Sequence, residues 1–170
     1  MRSRIRSQSG SSGKDPGCAT NKREVEHVKI EIQVGGAVGR ATLLKDAAPR
    51  TVEALIRQLP IVDRTIQTRW SGDAWRTEGN YELLSPTAKI ENVADRLKAG
   101  DIIYYPGYAA GLLKIGMAYG NAKWLAPFMV PIDVSLIGHV DENLDGLIAA
   151  CSRIIFDGPL PVRITAVSAG

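Results

Sequence analysis

Arg69 and Trp70 are adjacent, and Trp75 and Arg76 follow just beyond them. A planar guanidinium beside aromatic rings can hold a carboxylate or an amide oxygen through two parallel hydrogen bonds. This cluster therefore reads as a small-ligand site, with a structural Arg that bridges strands or stacks on a ring as the alternative. Tyr104 and Tyr105 are neighbours, so in a strand one faces the core and the other can line a pocket. Tyr119, Trp124 and Phe128 form a second aromatic group, suited to a pocket wall or a subunit contact. His139 has Asp133, Ser135 and Asp141 nearby in sequence, which invites a hydrolytic triad. No nucleophile-elbow pattern accompanies it, and alternate residues on a strand share a face without forming a relay. His27 and His139 stand apart from any clustered ligands, so no metal site is expected. The candidate ligand-binding set is Arg69, Trp70, Trp75, Tyr105, Tyr119 and His139. No catalytic group stands out, and no cofactor is expected.

The elements that must position these residues are mostly strands. Val28, Ile30, Ile32 and Val34 alternate with Lys29, Glu31 and Gln33, the period of a half-buried strand. Gly35-Gly36 turns the chain into a second strand, Val38 to Leu44, and the pair reads as a hairpin rather than a phosphate loop. Pro49 to Leu59 reads as a helix, with Val52, Leu55, Ile56 and Leu59 on one face. Ile61 to Trp70 reads as a strand ending in Ser71-Gly72-Asp73, with Trp75 to Tyr81 pairing back. Ile102 to Pro106 and Leu112 to Tyr119 continue the β pattern, and Asn121 to Pro131 reads as an ordered loop. Val134 to His139 is a further strand. Asp141 is placed to cap a second helix, Asn143 to Ile155, before a closing strand, Val162 to Val167. Two isolated helices among many antiparallel strands suggest a closed sheet with a helix over each open end. Arg69 then falls at the barrel rim.

The chain has 170 residues, of which 45% are apolar and 23% charged, enough for one domain with a real core. No apolar run approaches the roughly 20 residues of a membrane-spanning helix. Met1 to His27 differs in kind: it is rich in Ser, Gly, Arg and Lys and has almost no apolar content. It holds six of the 21 Lys and Arg and three of the 18 Asp and Glu, so it carries the whole formal excess of +3. The expected organisation is a disordered basic extension over 1–24 and a folded domain over 25–170. A solvated tail is favoured over a nucleic-acid contact. Two cysteines, Cys18 in the tail and Cys151 on a helix stripe, imply no disulfide framework and fit a reduced, cytoplasmic setting.

Three stretches carry a resemblance. They are Leu43-Leu44-Lys45-Asp46-Ala47-Ala48-Pro49-Arg50-Thr51-Val52, then Thr68-Arg69-Trp70-Ser71-Gly72-Asp73, then Gly100-Asp101-Ile102-Ile103-Tyr104-Tyr105-Pro106-Gly107. The first is similar to the cyclophilin pattern in which a strand runs through an Asp and a Pro into the first helix. Together they resemble a group of uncharacterised bacterial cyclophilin-like proteins, over about Val28 to Val167. The resemblance implies a mainly β fold, an eight-stranded closed barrel capped by two helices. In cyclophilins a catalytic Arg follows the first helix, and Arg69 lies in the corresponding region. The Phe-Met-x-Gln stretch that should come next is replaced by Trp70-Ser71-Gly72-Asp73-Ala74-Trp75, and Phe128-Met129 comes far too late. Trp124 and His139 occur downstream, outside recognisable motifs. Isomerase activity is discounted accordingly.

The leading expectation is a binding module whose rim pocket, marked by Arg69, takes a small anionic or amide-bearing ligand or a peptide. The enzymatic alternatives are weak peptidyl-prolyl isomerisation, or membership of an amide-hydrolysing assembly of the allophanate or oxoproline type, the latter by analogy of fold alone. A structural homo-oligomer without a ligand is the third reading.

Overall fold

The computed structural model describes residues 28–126 and 129–167. The expected tail and Phe128 lie outside the described residues. In chain order the elements are β1 (Lys29–Val34), β2 (Ala37–Leu43), α1 (Pro49–Gln58), β3 (Ile61–Gln67) and β4 (Gly72–Thr77). There follow β5 (Val93–Ala94), β6 (Arg96–Leu97), β7 (Asp101–Gly107), β8 (Leu112–Lys123), β9 (Leu125–Ala126) and β10 (Val130–Pro131). The chain closes with β11 (Val134–Glu142), α2 (Leu144–Ser152), α3 (Ile154–Asp157) and β12 (Pro161–Ala166).

Eight of these strands form a closed antiparallel barrel in the order β2-β1-β12-β3-β4-β8-β7-β11, and β11 pairs with β2 to seal it. The alternation of β1 places Ile30, Ile32 and Val34 inside, and Val162 and Ile164 of β12 join them. Ile115, Met117 and Tyr119 of β8 enter the same core, as their shared face requires. Helix α1 adds Val52 and Leu55, and α2 adds Leu147 and Cys151.

Helix α1 begins without a local cap: Ala48 precedes it and offers no side-chain acceptor. The acceptor comes from Glu91, distant in sequence. Its Oε2 receives the Thr51 amide at 2.9 Å and the Thr51 hydroxyl at 2.8 Å. Its Oε1 receives Arg50 Nε at 2.8 Å and the Arg50 amide at 3.3 Å. Orphan amides of the first turn are thereby satisfied from the loop that joins β4 to β5.

A second apolar cluster lies on the barrel's outer face. Ala74, Ile103, Ala118 and Ala122 point outward there and are covered by Leu97, Trp124 and Val134. Strands β7 and β8 are thus buried on both faces along much of their length.

Several sequence expectations need correction. The strand from Ile61 ends at Gln67, because Arg69–Ser71 forms a 3₁₀ turn. Strand β4 starts at Gly72, whose φ of +106° suits glycine, and stops at Thr77. The expected loop from Asn121 contains the end of β8 and the β9–β10 ribbon. Asp141 is no helix cap, since β11 runs to Glu142; its carboxylate instead accepts the Thr42 hydroxyl. Left-handed Asn143 precedes α2, and the expected single helix breaks at Arg153 into α2 and α3.

Candidate functional site

Strand parity builds the site. On β4, Trp75 faces the barrel core, so Ala74 and Arg76 face out. On β7, Tyr104 is inside and Tyr105 outside. Two glycines then allow aromatic rings to lie close to the sheet. A Cβ on Gly116 would stand 3.0 Å from the Trp124 ring and 2.6 Å from the Trp75 carbonyl. A Cβ on Gly107 would fall 2.3 Å from the Tyr105 ring. A methyl at Gly107 would displace the Tyr105 ring, and one at Gly116 would meet the Trp75 carbonyl and press on the Trp124 ring.

The 3₁₀ turn completes the walls. Trp70 Nε1 donates to the Leu125 carbonyl at 3.1 Å, and the Leu125 amide donates to Ser71 Oγ at 3.1 Å. Thr68 Oγ1 donates to the Ala74 carbonyl at 2.9 Å. The result is a cleft of about 170 Å³ lined chiefly by Thr68, Trp70, Arg76, Tyr105, Trp124 and Leu125.

Arg76 supplies the charge. Its Nη1 donates to the Thr77 carbonyl at 3.0 Å, and no carboxylate lies within ion-pair distance among the described residues. Burial lowers its pKa from the ordinary value, while the Glu78 carboxylate opposes the shift from a distance. Nearby Lys114 is almost fully buried, and its Nζ donates to the Glu78 and Gly79 carbonyls at 2.6 and 3.0 Å. Burial first, then the Arg76 charge, lowers the Lys114 pKa. Burial also raises the Tyr105 phenol. The cleft is therefore partly desolvated and electropositive, a setting in which an anion is held more strongly than in water. The lining contains no carboxylate, histidine or thiol.

The six residues marked from sequence do not share one pocket. Trp70 and Tyr105 line the outer cleft. Arg69 and Tyr119 line a separate, more open depression at the barrel rim beside α2 and α3. Trp75 is 1% exposed and belongs to the core, so it walls neither pocket. Its indole N–H has no hydrogen-bond partner among the described residues; it lies near the Cys151 thiol, whose pKa burial raises to about 12 against a lowering by the indole. His139 lies in register with Thr42 and Asp101, and its Nδ1 sits 3.0 Å from Asp101 Oδ1. The neighbours that suggested a triad do not reach it: Ser135 donates to the Glu91 carbonyl, and Asp141 meets Thr42 and Lys29. Arg76 and Trp124, which the sequence reading did not mark as ligand-binding, line the outer cleft in which neither Arg69 nor Trp75 lies. The usable signal was parity, because a residue two places from Ala74 on a strand shares its face.

The chain belongs to the family described as "Protein of unknown function (DUF3830)", which it matches over residues 30–166. No curated protein matches it. Among solved structures it is similar to McbB, solved in complex with tryptophan, at 18% identity and a TM-score of 0.63. That likeness covers 83% of this chain and 45% of McbB, so the chain spans less than half of that protein. It is also similar to the hypothetical protein AF2241 from Archaeoglobus fulgidus, at 21% identity and a TM-score of 0.53. There the match covers 83% of this chain and 95% of AF2241. At these identities the likeness concerns the fold.

Proposed function

We propose that this member of the DUF3830 family binds a small, flat, anionic molecule in the outer cleft, with Arg76 holding its carboxylate. The observation that carries this reading is a half-buried guanidinium with no carboxylate partner among the described residues, flanked by Trp70, Tyr105 and Trp124. A buried charge without a counter-ion is costly, and a ligand carboxylate would relieve that cost. The cleft volume of about 170 Å³ resembles cavities of about 150 Å³ that accept a benzene-sized ring. A ring between aromatic walls, with its carboxylate on a fixed fork, uses both features together. Binding fits better than amide-hydrolase chemistry, because the lining offers no carboxylate, histidine or thiol to activate a nucleophile. The tryptophan of the McbB complex belongs to that protein, but it earns free tryptophan a place in the ligand panel.

The test is a thermal-shift screen of small aromatic carboxylates, amides and ureas against wild type, Arg76→Lys and Arg76→Met. Carboxylates should stabilise wild type most, Arg76→Lys less and Arg76→Met least. Equal stabilisation of all three by every ligand would place the site elsewhere.

A further inference from the structure

The rim depression is a distinct feature with a charge pattern of its own. It encloses about 440 Å³, within the roughly 300–1,000 Å³ common for small-molecule sites. Arg69 and Asp73 both line it, yet no ion pair within 4 Å joins them to each other or to another described residue. Both are exposed. The Asp73 carboxylate lies over Gly120, where a Cβ would fall 2.5 Å from its Oδ2. Arg69 is held by the 3₁₀ turn, whose Trp70 and Ser71 are clipped to Leu125. Two opposite charges thus line one concavity without being paired.

The remaining lining supplies a polar floor and an apolar wall. Gln67 Nε2 donates to Tyr119 Oη at 3.0 Å, which leaves the Gln67 carbonyl and the Tyr119 hydroxyl proton without partners among the described residues. Ile148 of α2 and Ile155 of α3 form the apolar side. Burial, despite the bond from Gln67, raises the Tyr119 phenol, so this hydroxyl stays a neutral donor.

We infer that the rim depression is a second binding site, for a zwitterion such as a free α-amino acid with an apolar side chain. Arg69 takes the carboxylate in its fork, Asp73 takes the ammonium group, and the side chain rests against Ile148 and Ile155. A lone anion would meet Asp73, and a lone cation would meet Arg69. Only a ligand carrying both charges satisfies both walls, and this is discrimination by repulsion as well as by attraction. The inference is independent of the Arg76 cleft, since the two pockets share no lining residue.

Calorimetric titration of the full chain with L-leucine, isocaproate and isopentylamine tests it. These three probes share the branched carbon skeleton and differ in charged groups. L-leucine should bind wild type, while isocaproate and isopentylamine should each bind about tenfold to a hundredfold more weakly. Arg69→Met and Asp73→Asn should each weaken L-leucine by a similar factor, and Lys123→Met, outside both pockets, should leave it unchanged. Ile148→Lys, which fills the apolar side with a charge, provides a second block should Asp73→Asn misfold. Isocaproate binding as tightly as L-leucine would overturn the zwitterion assignment. L-leucine binding that ignores Arg69→Met and Ile148→Lys, or follows Arg76→Met, would overturn the site.

Discussion

Replacing Glu91 with Gln removes the cap of α1 while leaving the helix sequence untouched. The carboxylate accepts four hydrogen bonds from Arg50 and Thr51, and its side chain is only 10% exposed. Gln retains one acceptor and turns an amide NH₂ toward two of the donors. Loss of an N-cap costs about 1 kcal/mol, and a lost charge-assisted bond to a buried group about 1.5–3 kcal/mol. Partial compensation by the Gln carbonyl leaves an expected loss of about 2 kcal/mol, or a fall in Tm of about 6 °C for a domain of this size. Acid supplies a second readout. Burial alone would raise the Glu91 pKa, but the bonds from Arg50 and Thr51 prevail and hold it below the ordinary 4.5. A depressed carboxyl contributes stability fully above its unfolded pKa and loses it as pH falls through the folded value. The wild-type advantage over Glu91→Gln should therefore be constant from about pH 7 to about pH 5 and shrink below about pH 4. Thermal unfolding followed by circular dichroism across that range measures both effects. A difference under about 1 °C at neutral pH, or one that grows in acid, would refute the capping argument.

Two further outcomes follow from the packing. Gly116→Ala should lower the denaturant midpoint by an amount worth about 1–3 kcal/mol, because the new methyl meets the Trp75 carbonyl and, less severely, the Trp124 ring; an unchanged midpoint would mean that neither crowds Gly116. In a Cys18→Ser background, Cys151 should resist thiol reagents at about pH 8, since it is buried and its pKa is raised to about 12. Its labelling should accelerate only with denaturant, and rapid labelling in native buffer would contradict its place in the core.

The sequence made the barrel legible where one face is buried and the other wet. The alternation in β1 and the apolar stripe of α1 required little context to read. It was less informative where both faces are buried: Ile102 to Pro106 reads as a compact β-rich run, and nothing local says that Ile103 meets a second, outer cluster. The same gap misassigned the aromatic walls. Trp75 lies near Arg69 in sequence, but parity turns it into the core, while the 3₁₀ turn directs Trp70 to the outer cleft and Arg69 to the rim. The pairing of His139 with Asp101 joins β11 to β7 and has no local signature. The α1 cap was hidden for the same reason, because Glu91 reaches it from the far end of a long loop.

The most direct test of the Arg76 cleft is calorimetric titration of benzoate into wild type, Arg76→Met and Arg69→Met, with benzamide as the uncharged control. Benzoate should bind wild type and Arg69→Met alike with one site per chain. Arg76→Met should bind it at least about tenfold more weakly, and benzamide should bind wild type with a similar deficit. Benzoate binding that survives Arg76→Met, or that is lost in Arg69→Met instead, would contradict the assignment of the carboxylate to Arg76.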